Sequence, residues 1–187
     1  TSTAGSWGGR ALLGVGLLAL WATAWVFLPA SLWLLSAGLA AALYYLAVYD
    51  ARHQLLPDRV TLPLLMCGLA YHGLAATGLW RDAVIGAVVG YAAIWMVNLL
   101  YRTLRGRDGI GMGDAKLLAA AGSWLGWAAL PGVLLVASLS GLVFAAGAML
   151  VRRQAGGLDW RMPFGPFLAL AIWLMWLLRH GAGMVAV

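Results

Sequence analysis

The chain has 187 residues, 64% of them hydrophobic and only 10% charged, with a formal net charge of +6. Soluble domains carry about a quarter charged residues. The composition therefore excludes an ordinary soluble domain and points to an integral membrane protein, with 11 Trp to serve as interfacial aromatics. The cations are scattered between apolar runs and form no basic patch, so they read as a loop bias and not as a nucleic-acid footprint.

The apolar runs predict an all-α, polytopic membrane helix bundle, a single membrane-embedded domain over residues 1–187. The first run covers about 11–28, after Arg10, and is too long for a signal-peptide core. Pro29-Ala30-Ser31 makes a turn, and a second run over about 32–49 closes at Asp50. A polar loop from Asp50 to Arg59 follows, in which Pro57 biases Leu56 away from helix and Asp58 is placed to cap the next helix. The third run covers about 60–79 and the fourth about 83–101, with Asp82 as a second candidate cap. The fifth, 114–130, is only 17 residues, at the short edge for a span of about 20. The sixth covers about 130–151 and the seventh about 167–178, with a polar link containing Asp159 between them.

The positive-inside rule tests this topology. With the N-terminus cytoplasmic and all seven runs crossing, ten cations fall inside: Arg10, Arg52, Arg59, Arg102, Arg105, Arg107, Lys116, Arg152, Arg153 and Arg161. Two, Arg81 and Arg179, fall outside. If the short fifth run did not cross, the split would weaken to eight against four. Seven crossings put both Asp50 and Asp114 on the cytoplasmic side.

The one cysteine, Cys67, lies within an apolar run and reads as a small buried side chain. It allows no intrachain disulfide and no CxxC zinc site, and His72 and His180 have no ligand partner at metal spacing. No metal or cofactor is expected. All six acids are aspartates, so the candidates for carboxylate chemistry are few. Small residues such as those of Gly86-Ala87-Val88-Val89-Gly90 permit close helix packing without specifying a contact.

The stretch Arg107-Asp108-Gly109-Ile110-Gly111-Met112-Gly113-Asp114-Ala115-Lys116 is a polar, glycine-rich island that ends in a carboxylate at the mouth of a hydrophobic helix. Two carboxylates near each other can divide the work of hydrolysis, one activating water and the other polarising a carbonyl, because they cannot both ionise easily. Asp50 and Asp114 are the candidate pair. Gly111 and Gly113 lack Cβ bulk, so a substrate strand could approach closely. The start of a helix favours an ionised Asp114, and Lys116 adds to that. Against these readings stand bland ones. A helix-end aspartate is most often a cap or a solvated loop residue, and His53 reads first as a solvated loop histidine.

The order Asp50…Leu56-Pro57-Asp58-Arg59-Val60-Thr61-Leu62-Pro63, then Gly111-Met112-Gly113-Asp114-Ala115-Lys116-Leu117-Leu118, then Pro163-Phe164-Gly165-Pro166-Phe167, resembles the type IV prepilin peptidases, membrane aspartyl proteases of the GxGD group. The resemblance covers about residues 45–175. It implies that Asp50 and Asp114 are the catalytic pair and that Asp58 is a motif residue outside it. It places Gly111, Met112, Gly113, Lys116, Pro163, Gly165 and Pro166 in the active-site and substrate-binding loops. It implies prepilin or pseudopilin substrates, cut between a basic leader and a hydrophobic helix, commonly after glycine. The site would face the cytoplasm in the bacterial inner membrane, with the lipid bilayer as the other partner, no nucleic acid, and products bound for type IV pili or type II secretion.

Many members of that family add an N-terminal helix and a cytoplasmic domain whose two CxxC pairs bind zinc, which goes with methylation by S-adenosylmethionine. With a single cysteine, this chain reads as a short form, or as one whose N-terminal part is missing, with peptidase and not methyltransferase activity. Two readings compete. A proton-coupled transporter would place its acids near mid-membrane and often carry inverted repeats. Here the acids fall at helix ends and no repeat is visible. A non-catalytic assembly scaffold would have no need of Asp50, Gly111, Gly113 and Asp114 together.

Overall fold

A computed structural model describes residues 4–74, 78–106, 111–151 and 162–181. Arg107, Asp108, Gly109 and Ile110 of the glycine-rich island, and Arg152, Arg153, Asp159 and Arg161 of the later link, lie outside the described residues. The described chain forms seven α-helices: α1 Ala4–Phe27, α2 Trp33–His53, α3 Asp58–Leu74, α4 Trp80–Arg105, α5 Met112–Leu125, α6 Leu130–Val151 and α7 Gly165–Gly181. Short 3-10 turns, Ala30–Leu32 and Trp127–Ala129, lead into α2 and α6. The segments Ala30–His53, Trp80–Arg105 and Trp127–Leu150 are long and apolar enough to cross a membrane. The expected all-α membrane bundle is what forms.

The helix ends follow local chemistry. Gly106 and Gly126 stop α4 and α5 with φ of 68° and 76°, the left-handed half of the map that costs glycine nothing. The α2 helix runs through Asp50 to His53 and ends at Gln54, which takes φ 53° and donates its backbone N–H to the Asp50 carbonyl at 2.8 Å. Asp50 thus lies in the last turn of a helix and not in the following loop. Asp58 and Asp82 sit inside the first turns of α3 and α4, not ahead of them as caps.

The α5 helix is the axis of the bundle. Its 14 residues rise only about 21 Å, less than the ~30 Å of bilayer hydrocarbon. It is nonetheless enclosed, with Ala115 and every residue from Leu117 to Leu125 buried. Small residues allow this. A Cβ on Gly86 of α4 would strike the Gly122 carbonyl oxygen, and one on Gly90 would come within 2.5 Å of the Leu118 carbonyl oxygen. The α4 and α5 backbones therefore touch directly, the close approach that drives association where lipid removes the hydrophobic contrast.

Indole donors tie the remaining helices together. Trp176 of α7 donates Nε1–H to Ser36 of α2 at 2.9 Å. Trp124 of α5 donates to the Leu64 carbonyl of α3 at 2.8 Å, and Trp173 of α7 to Thr23 of α1 at 3.2 Å. Each such bond contributes about 0.6 kcal/mol in a membrane bundle.

Cys67 corrects the sequence-based expectation, because it is exposed. The buried stripe of α3 is Thr61, Leu64, Gly68 and His72. Cys67 precedes Gly68 by one residue, about 100° around the helix, and so faces outward. The outer surface of a membrane bundle is as apolar as its core, so residue type does not tell the two apart.

Candidate active site

Asp50 and Asp114 reach one end of the bundle from opposite chain directions. Asp50 lies near the C-terminal end of α2, and Asp114 lies in the first turn of α5. Partial burial is the larger influence on the Asp114 carboxyl, and Asp50 lies near enough to add a smaller like-charge influence. Asp50 is 5% exposed, whereas Asp114 is only partly covered.

A carboxylate near the C-terminal end of its own helix opposes the dipole there. Asp50 is compensated from across the bundle. The α7 helix begins at the Pro163-Phe164-Gly165-Pro166 motif, where the Phe164 carbonyl accepts from Phe167 and Leu168, both at 3.1 Å. Pro166 fits the first turn because no intrahelical partner is needed for its missing N–H. The free Gly165 N–H points at Asp50 and donates to Oδ2 at 2.9 Å. A Cβ on Gly165 would stand 2.6 Å from that same oxygen, so glycine is required for the contact. Asp50 is therefore bound at the positive end of α7.

Gly111 precedes α5 with φ −66° and ψ 135°, extended backbone that any residue adopts, and its carbonyl accepts from the Asp114 N–H at 3.1 Å. A Cβ there would lie 3.7 Å from Asp114 Oδ2, an ordinary contact. Gly113 differs. The space its side chain would take is filled by Leu56, whose Cβ would lie 2.9 Å from a Cβ on residue 113. The void read from sequence as room for a substrate strand is thus occupied by the α2–α3 link. Met112 is exposed, with Sδ 3.9 Å from the amide nitrogen of Asn98.

Lys116 faces Asp58, not the pair. Its Nζ meets Asp58 Oδ1 at 2.6 Å and Oδ2 at 2.7 Å. His53 is exposed in the last turn of α2, stacks on Tyr49 and bonds back to the Tyr49 carbonyl at 3.1 Å. His72 is buried at the far end of α3, where Nε2 donates to the Trp124 carbonyl at 3.0 Å. His180 packs on the Trp176 ring in the last turn of α7. Among the described residues no group of His, Cys, Asp or Glu is arranged to hold a metal ion.

Two features escaped the sequence reading. Leu56 carries no functional reading in the sequence, although its place at the head of the Leu56-Pro57-Asp58 motif is a signal for one. Asn98 is a lone amide in the apolar fourth run, which is a legible signal. It is buried beside the start of α5.

Fold and site together define a membrane helix bundle with two carboxylates gathered at one end, one buried and one partly covered. The type IV leader peptidase family matches over residues 37–146, and the chain belongs to that family. A prepilin leader peptidase/N-methyltransferase of Aeromonas salmonicida is 47% identical over 133 residues, 70% of this chain and 45% of its own length. One of Burkholderia pseudomallei is 45% identical over 157 residues, 84% of this chain and 50% of its own. One of Aeromonas hydrophila is 43% identical over 168 residues, covering 89% and 55%. The chain thus spans about half the length of the curated relatives it matches. No solved structure matches it.

Proposed function

We propose that this chain is an aspartic endopeptidase that removes the leader from prepilin-like substrates, with Asp50 and Asp114 as its catalytic pair. The observation that carries this reading is the convergence of the two aspartates at one bundle end, Asp50 held by the Gly165 N–H and Asp114 within its electrostatic reach. Membership in the leader peptidase family and the names of the relatives support the substrate class.

The chemistry follows from two neighbouring carboxyls that hold one proton between them. The ionised carboxylate takes a proton from water as the water oxygen bonds to the scissile carbonyl carbon. The protonated one donates to the carbonyl oxygen, and a neutral gem-diol forms. On collapse of the diol the C–N bond breaks, the leaving nitrogen takes the proton from the carboxyl that captured it from water, a diol hydroxyl returns its proton to the other carboxylate, and the one-proton pair is restored with no covalent enzyme intermediate. The Gly165 N–H fixes one Asp50 oxygen and so orients the other for proton transfer.

Placement at helix ends, and not at mid-membrane, suits a substrate cut where a basic leader meets a hydrophobic helix. The bias of ten cations against two supports a site on the cytoplasmic face of the inner membrane. The test is incubation of purified protein with a prepilin or pseudopilin, followed by mass spectrometry of the product. We expect one cut before the hydrophobic segment, and the same spectrum reports any added methyl group. An intact substrate after prolonged incubation with folded wild-type protein would overturn the proposal.

A further inference from the structure

The pairing of Lys116 with Asp58 links α5, one residue past its first turn, to the first turn of α3, across 58 residues of sequence. Lys116 lies two residues beyond Asp114, and Asp58 lies eight residues beyond Asp50. The ammonium sits against both carboxylate oxygens, at 2.6 and 2.7 Å. A second contact reinforces it. The α2–α3 link turns sharply at Gln54, in the left-handed region, and lays Leu56 into the space beside Gly113. The link that carries Asp50 toward α3 is thus held to the start of α5 on both sides of Asp114, by Leu56 at residue 113 and by Asp58 at residue 116.

The side chains are 30% and 52% exposed for Lys116 and Asp58, and exposed ion pairs contribute little to stability. The contribution of this pair is geometric. It joins α5 at Lys116 to the start of α3, and the link before α3 leads back to Asp50. We infer that Lys116 and Asp58 are positioning residues, an ion-pair latch that aligns Asp114 with Asp50 without touching substrate. The inference rests on the peptidase reading above and refines it, since it moves Lys116 from the substrate to the alignment of the pair.

The test is steady-state cleavage of a prepilin by purified variants, with detergent melting curves as the control for folding. Lys116→Gln and Asp58→Asn should each lower kcat by about 10- to 100-fold, the scale of a misplaced reacting group. KM should stay within about threefold of wild type, because no substrate contact is lost. Lys116→Arg should keep kcat within about threefold, since a guanidinium reaches the same carboxylate. The charge-exchanged pair, Asp58→Lys with Lys116→Asp, should recover to within about tenfold of wild type and exceed either single variant, as a direct coupling requires.

The inference is overturned if the single variants keep wild-type kcat, if they raise KM alone, or if neither the exchange nor Lys116→Arg outperforms them. Should a single variant melt much earlier than wild type, Lys116→Arg against Lys116→Gln at a temperature where both are folded decides it. Absence of cleavage by wild-type protein would instead overturn the peptidase reading, and the latch with it.

Discussion

The two ends of α5 carry similar parts and put them to different use. At each end an aspartate in a helix turn meets a glycine from another element and a cation lies nearby. At the Leu125 end, Asp82 accepts a hydrogen bond from the Trp127 indole at 3.2 Å, and Arg179 donates to the Leu125 carbonyl, closing the C-terminus of α5. Gly126 fits between them, 3.5 Å from Asp82 Cβ and 3.7 Å from an Arg179 nitrogen when a Cβ is placed on it. There the aspartate is met by an indole donor and the cation by a helix-terminal carbonyl. At the Met112 end, the cation is held by a third aspartate, Asp58, and a second carboxylate, Asp50, is brought toward Asp114. One end neutralises its charge with neighbouring donors and a helix-capping cation. The other gathers carboxylates around one buried member, Asp50, which a fold keeps at a cost and which suits proton transfer.

That contrast can be broken most directly by removing the charges. Asp50→Asn and Asp114→Asn should each reduce leader cleavage by about 10³-fold or more, measured by mass spectrometry on protein that still inserts. Asp82→Asn should remain within about twofold of wild type. Equal losses at the two ends would abolish the distinction.

The glycines sharpen it next. Gly165→Ala drives a Cβ toward Asp50 Oδ2 and should lower cleavage by about 10²-fold by displacing the carboxylate. Gly126→Ala strains a residue at φ 76° and should cost about 1 kcal/mol or more of stability, read as a lower melting temperature, with cleavage within about twofold. Between the two ends, Gly122→Ala forces apart the α4 and α5 backbones and should destabilise by about 1–3 kcal/mol. The smallest effect belongs to Trp127→Phe, which removes one exposed hydrogen bond and should lower stability by about 0.5 kcal/mol.

Much of this architecture was legible in the chain. Apolar runs broken at Pro29 and Pro57 marked the seven helices, with the start of α1 at Ala4 and the end of α5 at Leu125 among the largest departures from the expected 11 and 130. Asp50 and Asp114 stood out because a carboxylate at the end of an apolar run is unusual. Other features were silent. Cys67 faces outward although it is apolar, because lipid rewards the same residue types as the core. Lys116 was read as a neighbour of Asp114 through its place on α5, but its charge is taken up by Asp58, a partner that folding brings in from another helix. Gly113 was read as open space, and Leu56 fills it.

By itself, the sequence determined what depends on composition and local order. Enough apolar length was present to require lipid, glycines and prolines set the breaks, and the carboxylates were few and singular. Tertiary structure alone decided what depends on partners far apart in the chain. The Gly165 N–H on Asp50, the gathering of Asp50 and Asp114 at one bundle end, the Lys116–Asp58 pair and the burial of the short α5 all join different helices. The physical reason is that helix hydrogen bonding and hydropathy are near-neighbour properties. Which faces meet is set by small-residue shape and a handful of polar contacts, and in an apolar solvent these leave little periodic trace.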